Sequence, residues 1–457
     1  MRSKGILPLL LTLLAATVLL PGPARGDTVT VGSYAQLLQA VNETAADTVL
    51  LSPDYAHGSD SVGQSLHPEG TVTIRPAGEG EQDITGRFDI SGGTVVFERV
   101  RLTGSADSPA LCVTGEANVT AGSVTGGSAS KGIGRAAVEA VGACAVQVTE
   151  ALGGDGLTMG GDGILALNGA RVTADAVTGG ASGMGYGGCG ALACDAAVTV
   201  NGTARGGSGG LSAGQPLLTL GSGTATASAR EDINIHSYVP AQAGSYADLL
   251  WCIRLGQTDI SLASGYRHGQ AAVLDAPWPI PAGVTVAVHA AGKKNAALQG
   301  RVYLVSGTAQ LTGITVEATD DICLMATGTA AVSLTGRLKA GGSGMALLAA
   351  DSASVSVTGS VTGLCYARGS SLVTVDGDIS RISARVPGCV LLTQDASLTV
   401  SGSLSGFTRV TGCGQLTVSG SLTGVAGYNA LYACDDSVVT VKGSVTGKAT
   451  SAPAVAA

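Results

Sequence analysis

Six times in the second half of the chain, a strand-like triplet runs into a glycine. VSLTGRLKAG begins at Val332, VSVTGSVTG at Val355, VTVDGDISR at Val373, LTVSGSLSG at Leu398, LTVSGSLTG at Leu416 and VTVKGSVTG at Val439. The steps are 23, 18, 25, 18 and 23 residues. A period near twenty marks a solenoid, in which each unit buries its apolar side only against its neighbours. Within V-T-V, alternate residues face opposite sides of a strand, so the valines point inward and the threonine outward. The glycine then turns a corner. The first half carries the same theme in longer units, from Val119, Val146, Val172 and Val198, with steps of 27, 26 and 26 residues. Its extra residues include GGDGLTMGGDG at 153–163 and GGASGMGYGGCG at 179–190, read as loops hung from the rungs.

Composition removes the alternatives. Helical repeats need a 3.6-residue period and good helix formers, whereas these units are Val, Thr, Ser and Gly. With 70 glycines and only 3% aromatic residues, a wide core filled by large rings is excluded. A narrow interior tiled by Val, Ala, Leu and Ile remains, with glycine at the corners. An antiparallel sandwich shares this composition but not the period. The predicted fold is all-β, a parallel β-helix solenoid.

One stretch is not a rung. GSYAQLLQAV at 32–41 returns as GSYADLLWCI at 244–253, with apolar residues spaced for one face of a short helix. The matching continues. TVLLSPDYAHG from Thr48 parallels TDISLASGYRHG from Thr258, and RFDISGGTVVFERVRLTG from Arg87 parallels RVYLVSGTAQLTGITVEAT from Arg301. A solenoid leaves an apolar end open, and an amphipathic helix can cover it. Two tandem copies are expected, 27–232 and 233–457, each a β-helix with a short N-terminal capping helix.

Residues 1–26 read as a signal peptide: MRSK, an apolar run from Ile6 to Leu20, then Ala24 and Gly26 before a cleavage point at Asp27. The run is short for a membrane span, and no other stretch approaches one, so no transmembrane segment is expected in the mature chain. The expected location is extracellular, secreted or cell-surface associated. Losing Arg2, Lys4 and Arg25 takes the formal charge from −8 to −11, which argues against nucleic acid as a partner. The ten cysteines form no CxxC pair and sit mostly in apolar contexts such as ALCV and GLCY. They are read as buried thiols, with disulfides as the alternative that export would permit.

The two openings, with small-Tyr-x-x-Leu, Ala-Val or Cys-Ile, an acidic turn and a strand, resemble the N-terminal cap of the pectate-lyase-like right-handed β-helix superfamily. The resemblance implies a fold rather than an activity, because that fold hosts enzymes and non-enzymes. Its lyases use calcium-holding carboxylates with an Arg or Lys base, and its hydrolases use clustered aspartates. Asp320 and Asp321 in ATDDICL are similar to the paired aspartates of polygalacturonases and are the catalytic candidates. The His-Gly and Arg-x-Lys elements that accompany that pair have no counterparts downstream, and adjacent strand residues face opposite ways.

Tyr55 and His57 in YAHG recur as Tyr266 and His268 in YRHG. They could do acid–base work or bind a ligand, but recurrence at one cap position favours packing. Trp278 in APWPIP is the candidate exposed platform for a sugar. Asp155 and Asp162, in two GGDG units seven residues apart, are the candidate calcium ligands; the calcium nonapeptide needs a spacing of nine, and Thr158 stands where the first unit needs Asp. No other cofactor is indicated. The leading expectation is a secreted or surface-associated bacterial module, structural or adhesive and non-catalytic, meeting glycans or cell-surface components. The alternatives are a polysaccharide-active or polysaccharide-binding protein, and the N-terminal portion of a larger anchored surface protein.

Overall fold

The computed structural model describes residues 28–456, except 45, 59–63, 107, 232–237, 268–275, 293–295, 320, 343, 383–387 and 448–454. The leader at 1–26, Asp320 and His268 lie outside the described residues. The chain is a parallel β-solenoid of about 17 turns. Its strands form two stacks. The first has a major sheet of 11 strands and a minor sheet of 7; the second has a major sheet of 16 and a minor sheet of 8. Val332, Val355, Val373, Leu398, Leu416 and Val439 stand in register as one inward column. The threonines between them face out. Each stack wraps its own apolar cluster, and Val, Ala, Leu and Ile supply most of both.

The corners explain charges that look scattered in the sequence. Asp351, Gln394 and Asp435 have φ of 59°, 60° and 59°, and Gly328, Gly369 and Gly412 occupy the same left-handed region. The Gly328 amide donates to Asp351 Oδ2 at 2.9 Å, Gly369 to Gln394 Oε1 at 2.6 Å and Gly412 to Asp435 Oδ2 at 3.0 Å. Holding a side chain in that region costs about 1–2 kcal/mol. The cross-rung hydrogen bond offsets part of it. A second corner runs Asp378, Ser403, Ser421, Ser444. Each side-chain oxygen accepts the next rung's amide, at 2.7, 3.1 and 3.2 Å.

The glycine-rich segments are not loose loops. Residues 126–136, 153–163, 179–190 and 206–216 are fingers stacked on one another, joined by parallel bridges such as Ile133–Met159 and Met159–Tyr186. Within a finger, the Gly161 amide donates to Gly154 O at 2.8 Å; between fingers, Gly180 donates to Gly161 O at 2.8 Å. Backbone packs directly on backbone. A Cβ on Gly161 would overlap the Arg135 carbonyl, and one on Gly188 would overlap the Gly161 carbonyl.

Two helices, α1 (Tyr34–Asn42) and α2 (Tyr246–Arg254), lie against the first strands of their stacks and start on Ser33 and Ser245 as N-caps. Among the described residues no helix is long and apolar enough to cross a membrane. All ten cysteines are free thiols: eight are buried, Cys434 is half-buried and Cys413 is exposed. Cys434 thus departs from the burial read from its apolar context. Burial pushes the Cys194 thiol up to about 12. In native protein a thiol reagent is expected to modify Cys413 first and Cys434 slowly, with the other eight reacting only after unfolding. Fast labelling of Cys365 or Cys389 in the native state would contradict the packing.

Candidate functional site

The Tyr55–His57 pair is built into the core of the first stack. His57 Nε2 lies 2.7 Å from the Arg87 carbonyl, which can only accept, so Nε2 carries the proton and donates. Nδ1 is left to accept from the Tyr55 hydroxyl at 3.2 Å. The ring sits 4.5 Å from Tyr34 and 4.4 Å from Phe88, centroid to centroid, and covers Gly86 so closely that a Cβ there would enter it. Burial lowers the His57 pKa from 6.5, opposed by the Arg87 carbonyl bond. A depressed histidine stabilises the fold fully above pH 6.5, and that contribution is lost as pH falls through the lowered value. A His57→Gln variant is expected to lose about 1–2 kcal/mol at pH 8 and to show a shallower fall in Tm below pH 6.5. An unchanged acid slope would contradict the burial.

In the second stack Tyr266 packs beside the core cluster as the counterpart of Tyr55. Trp278 is corrected: it is 1% exposed, and its indole donates to the Tyr246 hydroxyl at 2.8 Å. The proline-rich segment presses the ring inward between α2 and the strand at Tyr303, so it offers no platform. Asp321 is ion-paired with Arg301, and both are largely buried. Arg87 is paired with Asp89 at 2.7 Å and Arg101 with Asp83 at 2.6 Å. The calcium candidates are separately engaged. Asp155 Oδ1 accepts the Ala181 amide at 2.7 Å. Asp162 is 2% exposed, and its carboxylate faces a guanidinium.

That guanidinium, from Arg254, marks a concentrated polar site among the described residues, at a seam between the stacks. Arg254 Nη1 and Nη2 donate to Asp162 Oδ1 and Oδ2 at 2.9 and 2.8 Å, and the Cys189 amide donates to Oδ1 at 2.8 Å. Burial pushes the Asp162 carboxyl up, and Arg254 pulls it back toward the charged form. Beside this pair Tyr186 stacks on Trp251, 4.7 Å between centroids and 16° between planes. The Tyr186 hydroxyl donates to Asp248 Oδ1 at 2.7 Å, while Asp248 Oδ2 caps the start of α2. Further along, Asp195 Oδ2 accepts the Ala282 amide at 2.6 Å. Leu165, Leu167, Leu192 and Cys194, on the outer face of the first minor sheet, pack against Val305 and Tyr303.

The seam explains where the repeated decapeptide differs. Aligned on its tyrosine, Gln36 becomes Asp248, Gln39 becomes Trp251 and Asn42 becomes Arg254. These positions lie three apart, on one side of the helix. In α1 both glutamines are at least partly exposed, whereas in α2 Trp251 and Arg254 are buried against the glycine fingers. The docking residues are those at which the two decapeptides differ, so the repeat itself carries no sign of them.

Arg135, Glu139, Asp162, Tyr246 and Arg254 border a cavity of about 40 Å³. That holds roughly three waters and is far below the roughly 300 Å³ of small-molecule pockets. Among the described residues no group of three or more His, Cys, Asp or Glu is placed to hold a metal ion. No family model, curated protein or solved structure matches this chain.

Proposed function

We propose that this chain is an exported, surface-associated bacterial β-helix module, structural or adhesive and non-catalytic. In this reading it consists of two tandem copies, each closed at its N-terminal end by its helix, and it resembles the pectate-lyase-like superfamily in its openings. One observation carries the reading: the carboxylates that sequence reading singled out, where described, are committed to architecture. Asp162 and Asp321 are in ion pairs and Asp155 accepts a backbone amide; beyond these candidates, Asp351, Asp378 and Asp435 hold corners. General acid–base catalysis needs such groups within hydrogen-bonding reach of a substrate instead. The exposed side of the second major sheet supports an adhesive role, since Ser356, Thr374, Thr399, Thr417 and Thr440 form a regular row of hydroxyls.

The test is to incubate residues 27–457 with acidic and neutral polysaccharides, with and without calcium. No unsaturated product absorbing in the ultraviolet and no new reducing ends are expected. Either product would overturn the non-catalytic reading, and its loss in an Asp320→Ala, Asp321→Ala double variant would place the site there.

A further inference from the structure

The outer faces of the second stack's two sheets differ sharply. The major sheet presents the hydroxyl row. On the minor sheet's outer side stand Met325, Leu348, Tyr366, Leu391, Arg409 and Tyr432, paired in register from rung to rung, with Leu348 only 9% exposed. Their strand neighbours Cys365, Ala367, Val390 and Leu392 are buried in the core, so Tyr366 and Leu391 point outward. Met325, Tyr366, Leu391 and Tyr432 are partly exposed, and Arg409 is exposed. The Arg409 guanidinium lies 5.6 Å from the centroid of the Tyr432 ring. An apolar and aromatic column with an arginine stacked on its last tyrosine has the composition of a protein interface core, not of a solvated sheet face.

This column is continuous with the seam. Met325 pairs with Tyr303, and Tyr303 packs against the first stack's minor sheet. Where the chain has a covering partner for such a face, that partner is another solenoid. We propose that the remainder of the column is covered by a second copy of this chain, minor sheet against minor sheet.

Six rungs at a spacing of about 4.8 Å make a straight stripe about 24 Å long. A two-fold axis between Tyr366 and Leu391 makes it self-complementary. Tyr366 then faces Leu391 of the second copy, and Met325 faces its Tyr432, a sulfur–aromatic pairing. The two Arg409 side chains fall three rungs apart, roughly 14 Å, beyond the screening length at physiological salt. Such an isologous contact closes as a dimer rather than growing into a fibre.

Sedimentation velocity of residues 27–457 over a range of concentrations tests the proposal. A monomer–dimer equilibrium is expected. Tyr366→Glu and Leu391→Glu should each weaken it by roughly 30-fold or more, as loss of a central interface residue does. Thr399→Glu, on the hydroxyl row, should leave it unchanged. Far-ultraviolet circular dichroism of each variant separates lost association from lost folding, and Tyr366→Phe should retain the dimer if a charged variant unfolds. A protein that stays monomeric to millimolar concentration, or a dimer indifferent to both glutamates in variants that remain folded, would overturn the proposal. A monomer that binds a linear glycan through Tyr366 would overturn it in favour of a carbohydrate ligand.

Discussion

Asp162→Ala is expected to destabilise the protein by about 3–5 kcal/mol, because it leaves the Arg254 guanidinium buried without its counter-charge. The pair is well placed for a large effect. The Asp162 side chain is 1% exposed and that of Arg254 is 9% exposed, so water cannot replace the missing partner. Arg254→Ala should cost a similar amount, and also strands the Asp162 carboxylate. The double variant Asp162→Leu, Arg254→Met should recover most of the loss, since an apolar pair of similar volume removes both desolvation penalties. The readout is built in. The chain's two tryptophans, Trp251 and Trp278, both sit at α2 beside the seam, so their fluorescence during denaturant unfolding follows this region. A single-variant effect below about 1 kcal/mol, the size of an exposed ion pair, would show that the seam is wet.

Gly161→Ala is expected to cost about 3 kcal/mol, at the upper end of overpacking penalties. The added methyl meets the Arg135 carbonyl of the neighbouring finger, and a backbone group cannot swing aside as a side chain can. Gly188→Ala should behave alike against the Gly161 carbonyl. Gly183, where an added methyl would have nothing within 4 Å, is the control, and its alanine variant should change stability by less than about 0.5 kcal/mol. Thermal unfolding of the three variants checks the ordering. Equal, small effects at all three positions would mean that the fingers are not close-packed.

The rungs were legible because their signal is local. Val355, Thr374 and Leu416 each show their facing by alternation with near neighbours, and the period gives the stacking without knowledge of any distant contact. The fingers were legible in part. GG recurs at 126, 153, 179 and 206, in step with the strands, but glycine's freedom favoured a reading as loops hung from the rungs. What decided their order was close approach of backbone to backbone, which composition does not display. The seam was not legible. Asp162 and Arg254 are 92 residues apart, and only the folded stacks bring them together. Trp278 shows the same limit: a proline-flanked tryptophan reads as exposed until the Tyr246 hydroxyl that receives its indole is known.

The glycine fingers are an ordered platform that holds the two stacks together through α2. Hydrogen exchange of the full chain, resolved by mass spectrometry over residues 153–163 and 179–190, tests it most directly. Amides such as Gly161, Gly180 and Gly188 donate to backbone carbonyls of their own or neighbouring fingers. The expected result is protection comparable to the rung strands, falling selectively in Asp162→Ala. Exchange of these segments at the rate of an open loop, in wild type as in the variant, would contradict it.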